Sequence, residues 1–229
     1  MANTTQLEPL TIDIVSDVMC PWCYIGKRRM EAALASLDGE VPLDIRWRPY
    51  QLDPTLPKEG KDRRQYLDEK FGGPDGANRA YQTIRDAGAE EKIAFDFDAI
   101  EVSANTLDAH RLIRWAGSQG TQTQDNMVEI LFRAYFVEGK NIGDDDVLVD
   151  AATQAGLDPD VVRRLLDDGA DREAVETEID VSRQMGVTGV PCFILAGKYA
   201  VVGAQSADTI AQAIREIAAQ KDMPESSST

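Results

Sequence analysis

Two thiols separated by two residues, in Cys20-Pro21-Trp22-Cys23, can close and reopen a disulfide, so thiol–disulfide exchange is the first chemistry the sequence suggests. Half of a zinc site and a structural disulfide share that spacing. A zinc site would need two further Cys or His ligands, and the chain supplies only Cys192 and the single His110, so no metal is expected. A permanent disulfide belongs in an oxidising compartment, whereas this chain reads as cytosolic.

The flanking sequence sets the electrostatics of the pair. Upstream, Thr11-Ile12-Asp13-Ile14-Val15-Ser16 alternates and is β-branched, the pattern of a strand; downstream, Met30, Ala33, Leu34 and Leu37 recur at helical spacing. Cys20 therefore falls at a helix N-cap, with Pro21 at the first helical position, where a missing N–H removes no bond. Unpaired N–H groups and the positive end of the helix dipole point at the Cys20 sulfur and favour its thiolate. Cys20 is the expected nucleophile and Cys23 the resolving thiol.

A chain of 229 residues can bury a substantial core, as one elaborated domain or two small ones. Forty acidic residues against 24 basic ones give a formal charge of −16, which argues against nucleic acid and anionic membranes as partners. Nothing resembles a membrane span, and the first residues hold neither a basic nor an apolar signal region, so the expected location is the cytoplasm unless a precursor segment was trimmed. Few lysines and many aspartates fit either an ordinary acidic protein or one that works in concentrated salt, where repulsion is screened within about 3 Å at 1 M.

The motif sits inside a recognisable order of elements. Leu43 to Arg48 alternates as a second strand, and from Lys61 to Met185 the pattern is almost wholly helical. Helices are expected over 63–71, 78–87, 105–118, 122–137, 144–155, 159–166 and 172–185. Cys192 to Leu195 and Tyr199 to Val202 flank Ala196-Gly197-Lys198 as a hairpin, and a last helix starts from Ser206. The sum, βαβ, a large helical insertion, then ββα, is an α/β thioredoxin-like order. It places a thioredoxin-like domain at residues 8–60 and 187–220, the insertion at 61–186 and a disordered tail at 221–229.

With Cys20-Pro21-Trp22-Cys23-Tyr24-Ile25-Gly26-Lys27 after the first strand and Gly186-Val187-Thr188-Gly189-Val190-Pro191 entering the third, the chain closely resembles the DsbA-like thioredoxin superfamily. Within it, the FrnE-like dithiol-disulfide oxidoreductases are the nearest match. The resemblance implies a cis Val190–Pro191 bond facing the thiols, with Pro191 in the catalytic set beside Cys20 and Cys23. It implies a substrate surface of Pro21, Trp22 and Val190, and it places the segment Asn105 to Leu112 beside the active site. Protein or small thiols and disulfides are the implied substrates; no cofactor is needed beyond the redox-active pair, with glutathione as an allowed co-substrate. A homodimer is one option that the sequence leaves open. Two related branches, 2-hydroxychromene-2-carboxylate isomerases and kappa-class glutathione transferases, usually carry serine where this chain has Cys20. Glutathione-dependent isomerisation is thus the alternative enzyme reading, and a non-catalytic thiol sensor is the third. Trp22 stands where periplasmic oxidants have a thiolate-stabilising histidine, so a strong-oxidant role is not implied.

Other polar residues admit two readings each. Asp17 either assists proton transfer or is a solvated residue at the strand end. His110 is either a general base or a polar contact within its own helix. Asn105 and Arg111 either orient a substrate carboxylate, Arg111 as a bidentate donor, or serve as a helix cap and an ion pair. Asp144-Asp145-Asp146 reads as a helix start rather than a cation loop. Cys192, opening an apolar strand, reads as a buried structural thiol, with a place beside the Cys20 pair as the competing view.

Overall fold

Strand β1 (Leu10–Ser16), helix α1 (Pro21–Leu37) and strand β2 (Leu43–Pro49) form the expected βαβ unit in the computed structural model, which describes residues 8–221. The crossover through α1 makes β2 parallel to β1, with Ile14 opposite Trp47. The middle of the chain runs through β3 (Lys61–Asp62), α2 (Arg63–Phe71), α3 (Pro74–Glu90), β4 (Val102–Ser103), α4 (Leu107–Ser118) and α5 (Thr121–Phe136). It continues through α6 (Asp145–Gln154), α7 (Pro159–Asp167) and α8 (Arg172–Gln184). The chain returns to the sheet in β5 (Cys192–Leu195) and β6 (Tyr199–Val202) and ends on α9 (Ala207–Lys221). Sheet order is β2-β1-β5-β6, with β5 antiparallel to β1 and β6 antiparallel to β5.

Three sequence expectations are corrected here. The middle segment contains a short ribbon, Lys61 opposite Ser103, whose two-residue strands are too brief to show a period. Helix α3 begins at Pro74 rather than Asn78, because proline after Gly73 suits the first helical position, and it runs on to Glu90. Helix α4 starts at Leu107, two residues later than expected. The tail expectation lies outside the described residues except for Lys221, which closes α9. No helix among the described residues is long and apolar enough to cross a membrane.

Alternation along the strands divides the core. Ile12, Ile14, Phe193 and Leu195 join Ile25, Leu37, Phe132 and Ile214 in the main cluster, while Val15, Cys192 and Ile194 meet Tyr50 and Val187 in a second one. Each large apolar side chain so buried contributes about 1.5–3 kcal/mol. The outer edge of β2 is closed by a side chain: Gln124 Oε1 accepts from Trp47 N at 3.0 Å and its Nε2 donates to Trp47 O at 3.2 Å.

Residues just beyond the cysteines tie α1 to α5. The Tyr24 ring stacks on Phe132 at 4.9 Å, and its hydroxyl donates to Glu129 at 3.0 Å. Burial, followed by the charge of Glu129, pushes the Tyr24 phenol up to about 12. Lys27, 3% exposed, donates to Asp125 at 3.0 Å, lies 3.5 Å from Glu129 and also pairs with Glu31. Lys27→Ala leaves Asp125 without its cation and leaves Glu31 and Glu129 to Arg28 alone. A buried partner removed would cost 3–5 kcal/mol, and partial exposure of the acids reduces this to about 2 kcal/mol. The expected result is a thermal midpoint lower by roughly 5 °C, read by circular dichroism.

Candidate active site

The turn between β1 and α1 fixes the first thiol. Cys20 N donates to Asp17 O at 2.9 Å, and Cys20 adopts the extended N-cap conformation (φ −94°, ψ 113°) before Pro21 opens the helix. Cys23 lies one helical turn on, its N–H donating to Cys20 O at 3.0 Å. Both are free thiols, 4% and 1% exposed. Burial, then the hydrogen bond and charge of Cys20, push the Cys23 thiol well above its ordinary range, so it is protonated at neutral pH.

The Val190–Pro191 bond, which is cis, faces the motif. Cys20 Sγ donates to Val190 O at 3.8 Å. Helix α1 approaches Pro191 so closely that a Cβ on Gly26 would lie 2.7 Å from Pro191 Cγ. Pro21 is buried, and Trp22 and Val190 are half-buried against the main core. The structure thus brings Cys20, Cys23, Trp22, Val190 and Pro191 to one end of the sheet.

Other expected site residues are structural. Arg111 is fully buried, with Nε on Ala170 O at 2.6 Å, one terminal nitrogen on Asp108 at 2.9 Å and the other on Leu165 O, so it has no face to offer a substrate carboxylate. The amide of Asn105 is likewise engaged: Oδ1 accepts from Leu107 N at 3.0 Å and Gln51 at 3.2 Å, and Nδ2 donates to Leu56 O at 2.6 Å. Asp17 is not solvated. It is fully buried and accepts from Leu52 N at 2.8 Å and Met19 N at 3.4 Å, which locks the loop after β2 onto the Cys20 turn. His110 bonds outside its helix, with Nε2 2.8 Å from Tyr50 O and 3.5 Å from Asp17 Oδ1. Asp144 caps α6, accepting from Asp146 N and Val147 N.

Cys192 is 2% exposed and belongs to the second core cluster, the opposite side of β5 from Phe193. Burial pushes its thiol up as well. Alkylation of the native protein with N-ethylmaleimide is expected to modify Cys20 first and Cys192 only on unfolding. Cys192→Ala should keep exchange activity at a cost of about 1 kcal/mol of stability. Rapid native labelling of Cys192 would contradict this placement.

Four buried residues that sequence reasoning missed lie on the helical side: Arg63 and Tyr66 on α2, Tyr81 on α3 and Tyr135 on α5, with Arg63 donating to the hydroxyls of Tyr135 and Tyr81. Their only sequence signal is a set of aromatic and arginine positions on helices, which ordinary core packing produces equally well. A cavity of about 400 Å³ opens beside Arg63, Tyr81, Arg85 and Phe97. Another of about 500 Å³, around Trp47, His110, Arg114 and Trp115, is lined by neither cysteine of the pair.

The model of the DSBA-like thioredoxin domain matches residues 11–215. The chain belongs to the DSBA-like thioredoxin domain family. Its DSBA-like relatives include the structure of the probable DsbA oxidoreductase SCO1869 from Streptomyces coelicolor. That chain is 32% identical with a TM-score of 0.83, over 94% of this chain and 92% of that one. YwbO of Bacillus subtilis (strain 168) is 28% identical over 221 residues, 90% of this chain and 96% of that protein. The cytosolic disulfide reductase DsbM from Pseudomonas aeruginosa shares the fold alone, at 18% identity and a TM-score of 0.58 over 93% of this chain and 97% of that one. The DSBA-like fold is thus thioredoxin-like, with the helical segment inserted between β2 and β5.

Proposed function

We propose that this chain is a cytoplasmic dithiol–disulfide oxidoreductase of the FrnE-like kind, acting on protein disulfides and on small thiols such as glutathione. The observation that carries the reading is the Cys20 sulfur, 3.8 Å from the Val190 carbonyl at the cis Pro191 and one turn from Cys23. In this reading the Cys20 thiolate attacks one sulfur of a substrate disulfide. The substrate S–S bond breaks, the other sulfur leaves as a thiolate and takes up a proton, and Cys20 is held in a mixed disulfide. Cys23 gives up its proton as it attacks Cys20, the first substrate sulfur leaves, and two electrons have passed to the substrate. The reverse sequence oxidises a dithiol. The redox equivalents reside on sulfur, so no bound cofactor is required.

Residues 8–60 and 187–220 form the thioredoxin-like part that carries the thiols, and residues 61–186 the helical part that covers them. An extended substrate segment lies along Val190 and Pro191, with Pro21 and Trp22 as its wall. Trp22 brings no charge to the thiolate, which favours reduction or isomerisation over strong oxidation. The acid excess supports a setting of concentrated salt.

Cys23→Ser tests the reading. It should accumulate dithiothreitol-sensitive adducts in cell extract, identifiable by mass spectrometry and missing from the Cys20→Ser, Cys23→Ser double variant. No adduct at all would overturn the assignment.

A further inference from the structure

Arg63, Arg64, Arg85 and Tyr81 line the cavity of about 400 Å³ beside α2 and α3. Arg63 is its buried cation, 4% exposed and without a carboxylate partner among the described residues. Its terminal nitrogens donate to the hydroxyls of Tyr135 at 2.9 Å and Tyr81 at 2.8 Å, and its Nε is buried with no partner. A guanidinium buried against neutral phenols keeps an uncompensated charge, which is costly. Tyr135 passes its own proton to Val102 O at 3.0 Å, whereas the Tyr81 O–H has no acceptor among the described residues. The Arg64 side chain is exposed and makes no hydrogen bond or ion pair among them, and Arg85 reaches only the exposed Asp98, at 3.9 Å.

The charges select the ligand's head. Asp68 and Asp98 also line the cavity, so it holds three arginines and two aspartates, and one further negative charge balances it. The two acids oppose a dianion such as a phosphate ester. The rest of the lining selects the ligand's body. The Phe97 ring is stacked on Phe95 at 4.7 Å with Arg85 over it at 5.5 Å, and Tyr81 meets Phe97 and Phe71 edge to face. With the rings so engaged, the apolar surface left is aliphatic: Leu67, Pro74, Ala77 and Ile100. The larger cavity around Trp47 differs, because its arginines are already matched: Arg46 with Asp44, Arg48 with Asp13 and Arg114 with Glu178.

We propose that the cavity beside α2 and α3 is a binding site for a small aliphatic monocarboxylate. The carboxylate supplies the charge that Arg63 lacks, accepts from the Tyr81 O–H and draws on Arg64 at the surface, while the chain lies along Leu67, Pro74, Ala77 and Ile100. Neither Cys20 nor Cys23 lines it, so binding there does not depend on the thiol exchange proposed above.

The test titrates the full reduced chain with octanoate by isothermal calorimetry, against octanamide, which has the same chain length and no charge. Saturable single-site binding of octanoate with a Kd below about 1 mM is expected, with octanamide weaker by about tenfold or more. Arg63→Met should weaken octanoate about tenfold and octanamide little, a charge-dependent loss that general loosening of the cavity would not give. Arg64→Ala, at an exposed position, should weaken octanoate about threefold. No saturable binding, equal affinity for the two probes, or an unchanged octanoate affinity in folded Arg63→Met would overturn the proposal. Should Arg63→Met not fold, Tyr81→Phe and Arg64→Ala decide, since the first removes one oxygen and the second an unpartnered surface side chain. Octanoate bound as tightly by both as by the parent would then overturn it.

Discussion

Cys20→Ser is expected to reduce insulin-disulfide reduction and disulfide isomerisation to the uncatalysed background, although two thiols remain. A hydroxyl at the N-cap is no substitute for a thiolate, because exchange proceeds by attack of ionised sulfur. Cys23 cannot take over. It is 1% exposed, and burial, the largest of its influences, persists when Cys20 is gone. A thiol whose pKa is raised stays neutral below the raised value, so buried Cys23 would remain the protonated, unreactive form at pH 7. Any residual turnover should therefore grow only above the ordinary cysteine range, and a variant fully active at neutral pH would remove Cys20 from the mechanism.

Gly26→Ala should lower both stability and turnover, against the usual preference of helices for alanine. In an open helix interior the change would gain about 1 kcal/mol. Here the new methyl would lie 2.7 Å from Pro191 Cγ and 3.5 Å from Phe193 Cζ, and overpacking of this kind costs about 1–3 kcal/mol. The net expectation is a loss of up to about 2 kcal/mol, or up to roughly 6 °C in the melting midpoint. The larger effect falls on activity. Pro191 can yield only by moving relative to α1, which changes the 3.8 Å approach of Cys20 to Val190 O, and a misplacement of about 1 Å can reduce rate by 100-fold. A variant that melts higher and turns over normally would show that this contact is not positioning the site.

Local pattern made part of this architecture readable. The strand before Cys20, the proline after it and the apolar spacing of Met30, Ala33 and Leu37 all act within a few residues, so the N-cap placement of Cys20 followed from sequence. What escaped reading is long-range. Gly26 meets a proline from the other end of the chain, and Arg63 meets Tyr135 from a different helix. Asp17 and His110 misled for the same reason. Their types suggested solvent and a within-helix contact, while the packing of the loop after β2 buried the acid and gave the imidazole Tyr50 O. Arg111 is open in the sequence between a substrate carboxylate and a surface ion pair; it pairs with Asp108, but buried, and ties together the backbone around α7.

The amide of Gln124 has a consequence for how these molecules meet one another. An exposed sheet margin offers its peptide groups to any extended chain that drifts past, and that offer underlies runaway self-association. At the β2 margin, the donor and acceptor of Trp47 are already taken by a side chain that cannot leave without stranding its own polar atoms in the interior. Recruitment of a foreign strand is thereby discouraged at that side. The free margin is β6, where Tyr199, Ala200 and Val202 are exposed and no such plug exists among the described residues. The sheet can be extended from one flank only, the flank next to β5.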